Sequence, residues 1–211
     1  MWMSQARPGG GAPPPQPDGG PPDPHLWSRA REGDSEAFGR LFDRHARAVY
    51  NHAFRRTASW SSAEEVVQLT FLTAWRYASR PDAAPLRHDS ALPWLLTVAG
   101  NECRNLGRAG RRFRALLERL PHEADDPDPA PEVADRVDDE RRMSTVRRAL
   151  RRLPRHEQET LELVTWSGLS VAEAAAALGV PVGTVKARLS RARARLAGLL
   201  APEALPEGDP R

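Results

Sequence analysis

The apolar positions of this chain recur every three or four residues, the period of an α-helix with one buried face. Phe38, Leu41, Phe42, His45, Val49 and Ala53 form one such stripe, and Asp34 stands where a helix N-cap belongs. Ser62-Ala63-Glu64-Glu65 has the spacing of a capping box. It predicts the start of a second helix, with Val67, Phe71, Ala74 and Trp75 on its inner face. Pro81 and Pro85 interrupt the pattern. Ser90 then caps a third predicted helix, with Pro93 in its first turn and Leu92, Leu95, Leu96, Ala99, Cys103 and Leu106 turned inward. Nowhere do β-branched residues alternate with polar ones as a strand requires. The expected fold is all-α.

A second helical block opens with Met143, Val146, Leu150 and Leu153, breaks at Pro154 and resumes with Leu161 and Val164. The most informative stretch follows, LSVAEAAAALGVPVGTVKARLSRARARL, residues 169–196. Ser170 and Glu173 form a second capping box, opening a short helix that ends at Leu178. Gly179 suits the left-handed residue that closes a helix, and Pro181 suits the first position of the next. Ala174 and Ala175 permit close helix crossing. The second helix buries Val185, Leu189, Ala192 and Leu196, and turns Thr184, Lys186, Arg188, Arg191, Arg193 and Arg195 the other way. Two helices joined by a tight glycine turn, the second basic, present a recognition helix to a major groove. An αα-hairpin with a solvated basic face is the alternative reading.

Composition sets the boundaries. The 211 residues allow one or two small domains. Of the 20 prolines, eight lie in residues 1–25, four in 121–131 and three in 202–210. Two folded helical domains are therefore expected, 26–118 and 139–200. Residues 1–25 read as a disordered Pro/Gly-rich extension, 119–138 as a flexible acidic linker and 201–211 as a tail. Neither block has room for a sizeable α/β enzyme. No nucleophile elbow or phosphate-cradling glycine loop is present, so no catalysis is expected. The longest apolar run is too short to cross a bilayer, and no secretion signal pattern opens the chain. Cys103 is the only cysteine, which excludes an internal disulfide and fits a cytoplasmic protein. His45 and His52 have no further ligands at fitting spacing, so neither metal nor cofactor is expected.

Charge adds the partner class. Residues 104–119 carry six arginines against one glutamate, and residues 141–155 carry seven arginines and no acid. Residues 182–200 carry four arginines and Lys186. Between the first two blocks, residues 123–140 hold nine acids and one arginine. Basic blocks on folded segments point to a polyanionic partner.

These motifs resemble a bacterial RNA polymerase sigma factor of the extracytoplasmic-function (ECF) group. The stretch Gly168–Leu196 looks like the fourth conserved region of that family, which binds the −35 promoter element. Residues 34–42 (DSEAFGRLF) look like the start of the second region. Residues 62–76 look like the helix that docks on the clamp helices of the polymerase β′ subunit. Residues 94–105 look like the segment that opens and reads the −10 element. The resemblance implies core RNA polymerase (β′ clamp helices and β flap), promoter DNA and an anti-sigma factor as partners, with no membrane insertion.

Residue by residue, it assigns polymerase docking to Glu64, Glu65, Gln68, Leu69 and Leu72. Contact with the −10 element falls to Trp94, Asn101, Arg104, Asn105, Arg108, Arg111 and Arg112. Contact with the upstream element falls to Thr184, Lys186, Ala187, Arg188, Ser190, Arg191, Arg193 and Arg195. Trp94 can equally be a core residue. Ser62 and Leu69 stand where the family usually carries acids, Glu102 brings a negative charge near the expected DNA path, and the N-terminal extension is foreign to the pattern. An ordinary helix-turn-helix regulator, or a module whose basic helices bind an acidic protein, remain rival readings of the same residues.

Overall fold

The computed structural model describes residues 20–117 and 131–200. The extension to residue 19, linker residues 118–130 and the tail from 201 lie outside the described residues. The described chain forms eight α-helices and no strand. The first module comprises α1 (Asp23–Arg31), α2 (Ser35–Thr57), α3 (Trp60–Ala78) and α4 (Leu92–Leu117). The second comprises α5 (Pro131–Leu150), α6 (Arg155–Leu161), α7 (Val171–Leu178) and α8 (Val182–Leu200).

Helix α1 begins inside the segment expected to be disordered. Pro22 precedes it and Pro24 lies in its first turn, where no backbone N–H is needed, so the prolines start the helix rather than prevent it. Leu26, Trp27 and Ala30 are buried in the first module. Asp23 is buried too, at 3% exposure. Its carboxylate accepts from Arg44 Nη1 at 2.5 Å, His45 Nε2 at 2.6 Å and the Ala91 N–H at 2.8 Å. Burial alone would raise its pKa. The His45 hydrogen bond and charge, the Ala91 N–H and Arg44 outweigh that and hold it at about 2.

Asp34 caps α2 as expected, accepting from the Ala37 N–H at 2.9 Å. The capping box at Ser62 does not form. Helix α3 starts at Trp60, and Ser59 is the cap, taking the Ser62 N–H at 3.3 Å. The reason lies just upstream: Ala58, at φ 52°, reverses the chain so tightly that the next helix begins at once. Leu41, Val49, Phe54, Val66 and Leu96 fill the core, with Phe38 and Phe42 edge-on to Phe71 and Phe38 edge-on to Trp75.

Residues 131–138, expected within the linker, belong to α5. That helix docks on the first module by polar contacts. Glu140 accepts the Trp60 N–H at 2.7 Å at the start of α3. Arg147 donates to the Thr57 carbonyl at 2.5 Å at the end of α2. Both cover backbone groups that helix ends leave unpaired. The docking face is thus 140–143–147–150, and Val146, expected inward, is 42% exposed.

After α6, a π-helical turn spans Glu162–Trp166. Helix α4 packs on α7, so the two modules touch as well as being tethered. No helix among the described residues is long and apolar enough to cross a membrane.

Candidate nucleic-acid interface

The α7–α8 pair is built by local rules. Ser170 accepts the Glu173 N–H at 3.2 Å and Glu173 accepts the Ser170 N–H at 2.8 Å, completing the capping box. Gly179, at φ 65°, closes α7 in the left-handed region that glycine alone adopts without a steric cost. Helix α8 starts at Val182, with Pro181 just before it and its carbonyl accepting from Thr184 and Val185. Val185, Leu189 and Ala192 are buried, anchoring α8 to α6 and α7.

That anchoring decides which side chains are free. Lys186, Ala187, Ser190 and Arg193 are exposed, and Thr184 and Arg188 are half-buried. Arg191 and Arg195 are shared. Both reach Glu157 on α6, Arg195 at 2.7 Å and Arg191 at 3.4 Å. Glu157 is 1% exposed, and a carboxylate buried that deeply needs cationic partners. The two arginine side chains keep about half their surface, 54% and 49%, in solvent. Sequence reading missed Glu157, because nothing local links it to residues 34 and 38 positions away.

On α4, polar side chains form a ladder along the helix. Arg104 donates to Asn101, Arg108 to Asn105 at 2.7 Å and Asn105 to Glu102 at 3.2 Å. Glu102 is thereby engaged by an amide. Asn101, Asn105, Arg108, Arg111 and Arg112 are exposed. Trp94 is half-buried at the head of the helix, 5.2 Å from the Trp27 ring and 5.4 Å from Tyr77. It lines a cleft of about 340 Å³ with Trp27, Tyr77 and Thr97, which α7 borders through Ala176 and Ala177.

On α3, Glu65, Gln68 and Leu72 are exposed at helical spacing, and Glu64 and Leu69 are half-buried beside them. Leu72 is 42% exposed, a large apolar side chain left facing water.

One expected contact residue is engaged across the seam between modules. Arg104 pairs with Glu159 of α6 at 2.9 Å, and Arg56 of α2 with Glu162 at 2.7 Å. His52 Nδ1 meets the Ser167 hydroxyl at 3.0 Å, and Arg55 donates to the Trp166 carbonyl while its guanidinium lies 5.9 Å over that ring. Burial, with Arg56 and Arg55 alongside, pushes the His52 imidazole well below its ordinary value, so it is neutral. Burial pushes the Glu162 carboxyl up, against the pull of Arg56. His45 faces Asp23 and His52 faces Ser167.

Comparison with known proteins places these elements. The family profile described as Sigma-70 region 2 matches residues 41–113, and that described as Sigma-70, region 4 matches residues 144–196. The RNA polymerase sigma factor NccH of Alcaligenes xylosoxydans xylosoxydans is 34% identical over 187 residues, covering 84% of this chain and 94% of its own length. The ECF RNA polymerase sigma factor SigM of Mycobacterium tuberculosis is 37% identical over 180 residues, covering 84% of each chain. Among solved structures, CnrH in complex with the cytosolic domain of CnrY is similar at TM-score 0.61 and 30% identity, covering 84% of this chain and 96% of that one. The sigma factor RpoE in complex with the anti-sigma factor NepR from Bartonella quintana is similar at TM-score 0.52 and 27% identity, covering 80% and 99%.

Proposed function

Because the chain belongs to the ECF group of RNA polymerase sigma factors, and so directs the polymerase to promoters, we propose that its two modules divide the work of promoter recognition. The α8 face of Lys186, Ala187, Arg188 and Ser190 enters the major groove of the −35 element, with Thr184 and Arg193 on phosphates. Arg191 and Arg195 add phosphate contacts with the half of each guanidinium that Glu157 leaves free. The polar ladder of α4, Asn101, Arg104, Asn105 and Arg108, with Arg111 and Arg112 beyond it, takes the −10 element. Trp94 supplies an aromatic surface at the head of that helix.

The observation that carries this reading is the α8 surface. A helix anchored by Val185, Leu189 and Ala192 turns a cationic side to solvent, within the span that matches region 4. The α3 face of Glu64, Glu65, Gln68, Leu69 and Leu72 docks on the β′ clamp helices, and the second module reaches the β flap. A pair of DNA-binding surfaces on one chain gains from effective concentration once both engage. That requires the seam at Glu159 and Glu162 to part, since Arg104 lies in it.

CnrH was solved with the cytosolic domain of CnrY, and RpoE with the anti-sigma factor NepR. We infer an anti-sigma factor for this chain too, and a cytoplasmic, non-catalytic protein. Run-off transcription is the test. Core polymerase plus the purified chain should initiate at a subset of a genomic promoter library; failure at every promoter rejects the reading. A pull-down with core polymerase separates it from an autonomous helix-turn-helix regulator, which needs no polymerase.

A further inference from the structure

A cleft of about 390 Å³ opens where α2 and α4 of the first module meet α5 and α6 of the second. Seven arginines line it against two glutamates. The two carboxylates are already committed. Glu162 holds Arg56 at 2.7 Å, while Glu159 holds Arg104 at 2.9 Å and Arg155 at 3.3 Å. The other four cations form no close ion pair among the described residues, although Glu162 still attracts Arg147 at longer range. Arg108 donates to the Asn105 amide oxygen and Arg147 to the Thr57 carbonyl, both neutral acceptors. Arg111 and Arg151 complete the set.

Like charges gathered at a half-closed site repel, and the repulsion grows as water is excluded. Burial, then Arg151 alongside, push the Arg147 guanidinium below its ordinary value against the pull of Glu162. A protein that converges cations from several helices on one hollow has an anion-shaped deficit there. Guanidinium forks match phosphate oxygens two at a time, and forks set on different helices match oxygens on successive phosphates. The volume falls in the range of small-molecule sites. A duplex is too broad to enter it and would touch only the rim.

We propose that this cleft binds a compact chain of linked phosphates, free or carried by a nucleoside. Its walls come from both modules, so the bound anion also holds the modules together. Ligand that binds only the packed arrangement stabilises it by mass action and opposes the opening that promoter engagement requires. The binding itself does not depend on the sigma-factor reading; that last consequence does.

The test is calorimetric titration of the full chain with inorganic tripolyphosphate, GTP and GMP at matched ionic strength. Tripolyphosphate and GTP should bind about tenfold or more tighter than GMP and raise the melting temperature. Equal affinity for the first two assigns recognition to the phosphate chain alone, and tighter GTP binding adds the nucleoside. Arg147→Gln should weaken binding by about tenfold or more. Arg151→Gln, at an exposed position, does the same without touching the α2–α5 contact, so misfolding of the first variant leaves the idea testable. No binding at millimolar tripolyphosphate overturns the proposal. So does equal binding of GMP, unchanged binding by Arg151→Gln, or a cleft whose arginines affect duplex DNA binding alone. Failure of run-off transcription instead rejects the sigma-factor reading and leaves the anion site standing.

Discussion

Asp23→Asn removes one negative charge from a site that joins three helices. Asp23 starts α1, its partners Arg44 and His45 lie on α2, and the Ala91 N–H precedes α4. The carboxyl ionises at about 2 instead of 3.8, a difference worth roughly 2 kcal/mol to the folded state. The amide also leaves the Arg44 and His45 side chains, 19% and 8% exposed, without an anion. The total loss is roughly 2–4 kcal/mol at neutral pH, or a melting temperature lower by about 10 °C. The sign with pH follows from the lowered pKa. The stabilisation is complete above the unfolded value near 3.8 and disappears as pH falls toward about 2. Urea unfolding followed by circular dichroism should therefore show a gap between wild type and Asp23→Asn that closes between about pH 4 and 2. A chain beginning at Leu26 should lose at least as much at neutral pH, since it also lacks the first turn of α1 and the Pro21 carbonyl that Arg44 meets at 3.1 Å. A variant within about 0.5 kcal/mol of wild type at pH 7, or a gap indifferent to pH, would refute the buried-anion account. The same contact sets the start of α4, the helix proposed to meet the −10 element through Asn101 and Arg104.

Three further outcomes are expected. Arg193→Gln, at an exposed position outside the Glu157 pairing, should flatten the log–log salt dependence of upstream-element binding by about 0.9; an identical slope removes it from the phosphate contacts. Leu72→Asp should weaken capture of core polymerase by about tenfold or more while leaving the melting curve unchanged, since Leu72 is 42% exposed; full capture excludes this face from docking. Glu159→Lys opposes Arg56, Arg104 and Arg155 at once and should part the modules, raising the radius of gyration in X-ray scattering and strengthening duplex binding by the free protein; an unchanged radius shows that the seam does not depend on these pairs.

What was legible in the chain was whatever physics acts over one or two helical turns. Stripes at three- and four-residue spacing, the caps at Asp34 and Ser170, and the glycine turn at Gly179 place most helices and the exposed face of α8. Even there, neighbouring geometry redirected some residues: the left-handed Ala58 moved the α3 cap from Ser62 to Ser59. Proline content hid α1, because prolines at a helix start cost nothing. The buried and half-buried acids were invisible for a different reason. Asp23, Glu157, Glu159 and Glu162 resemble surface residues until partners far along the chain surround them, and Arg56 reaches Glu162 across 106 positions. Amphipathic periodicity tells a helix to bury one face, but any apolar face will serve. Only the assembled packing determines which charges are enclosed together, and therefore which arginines remain available to a partner.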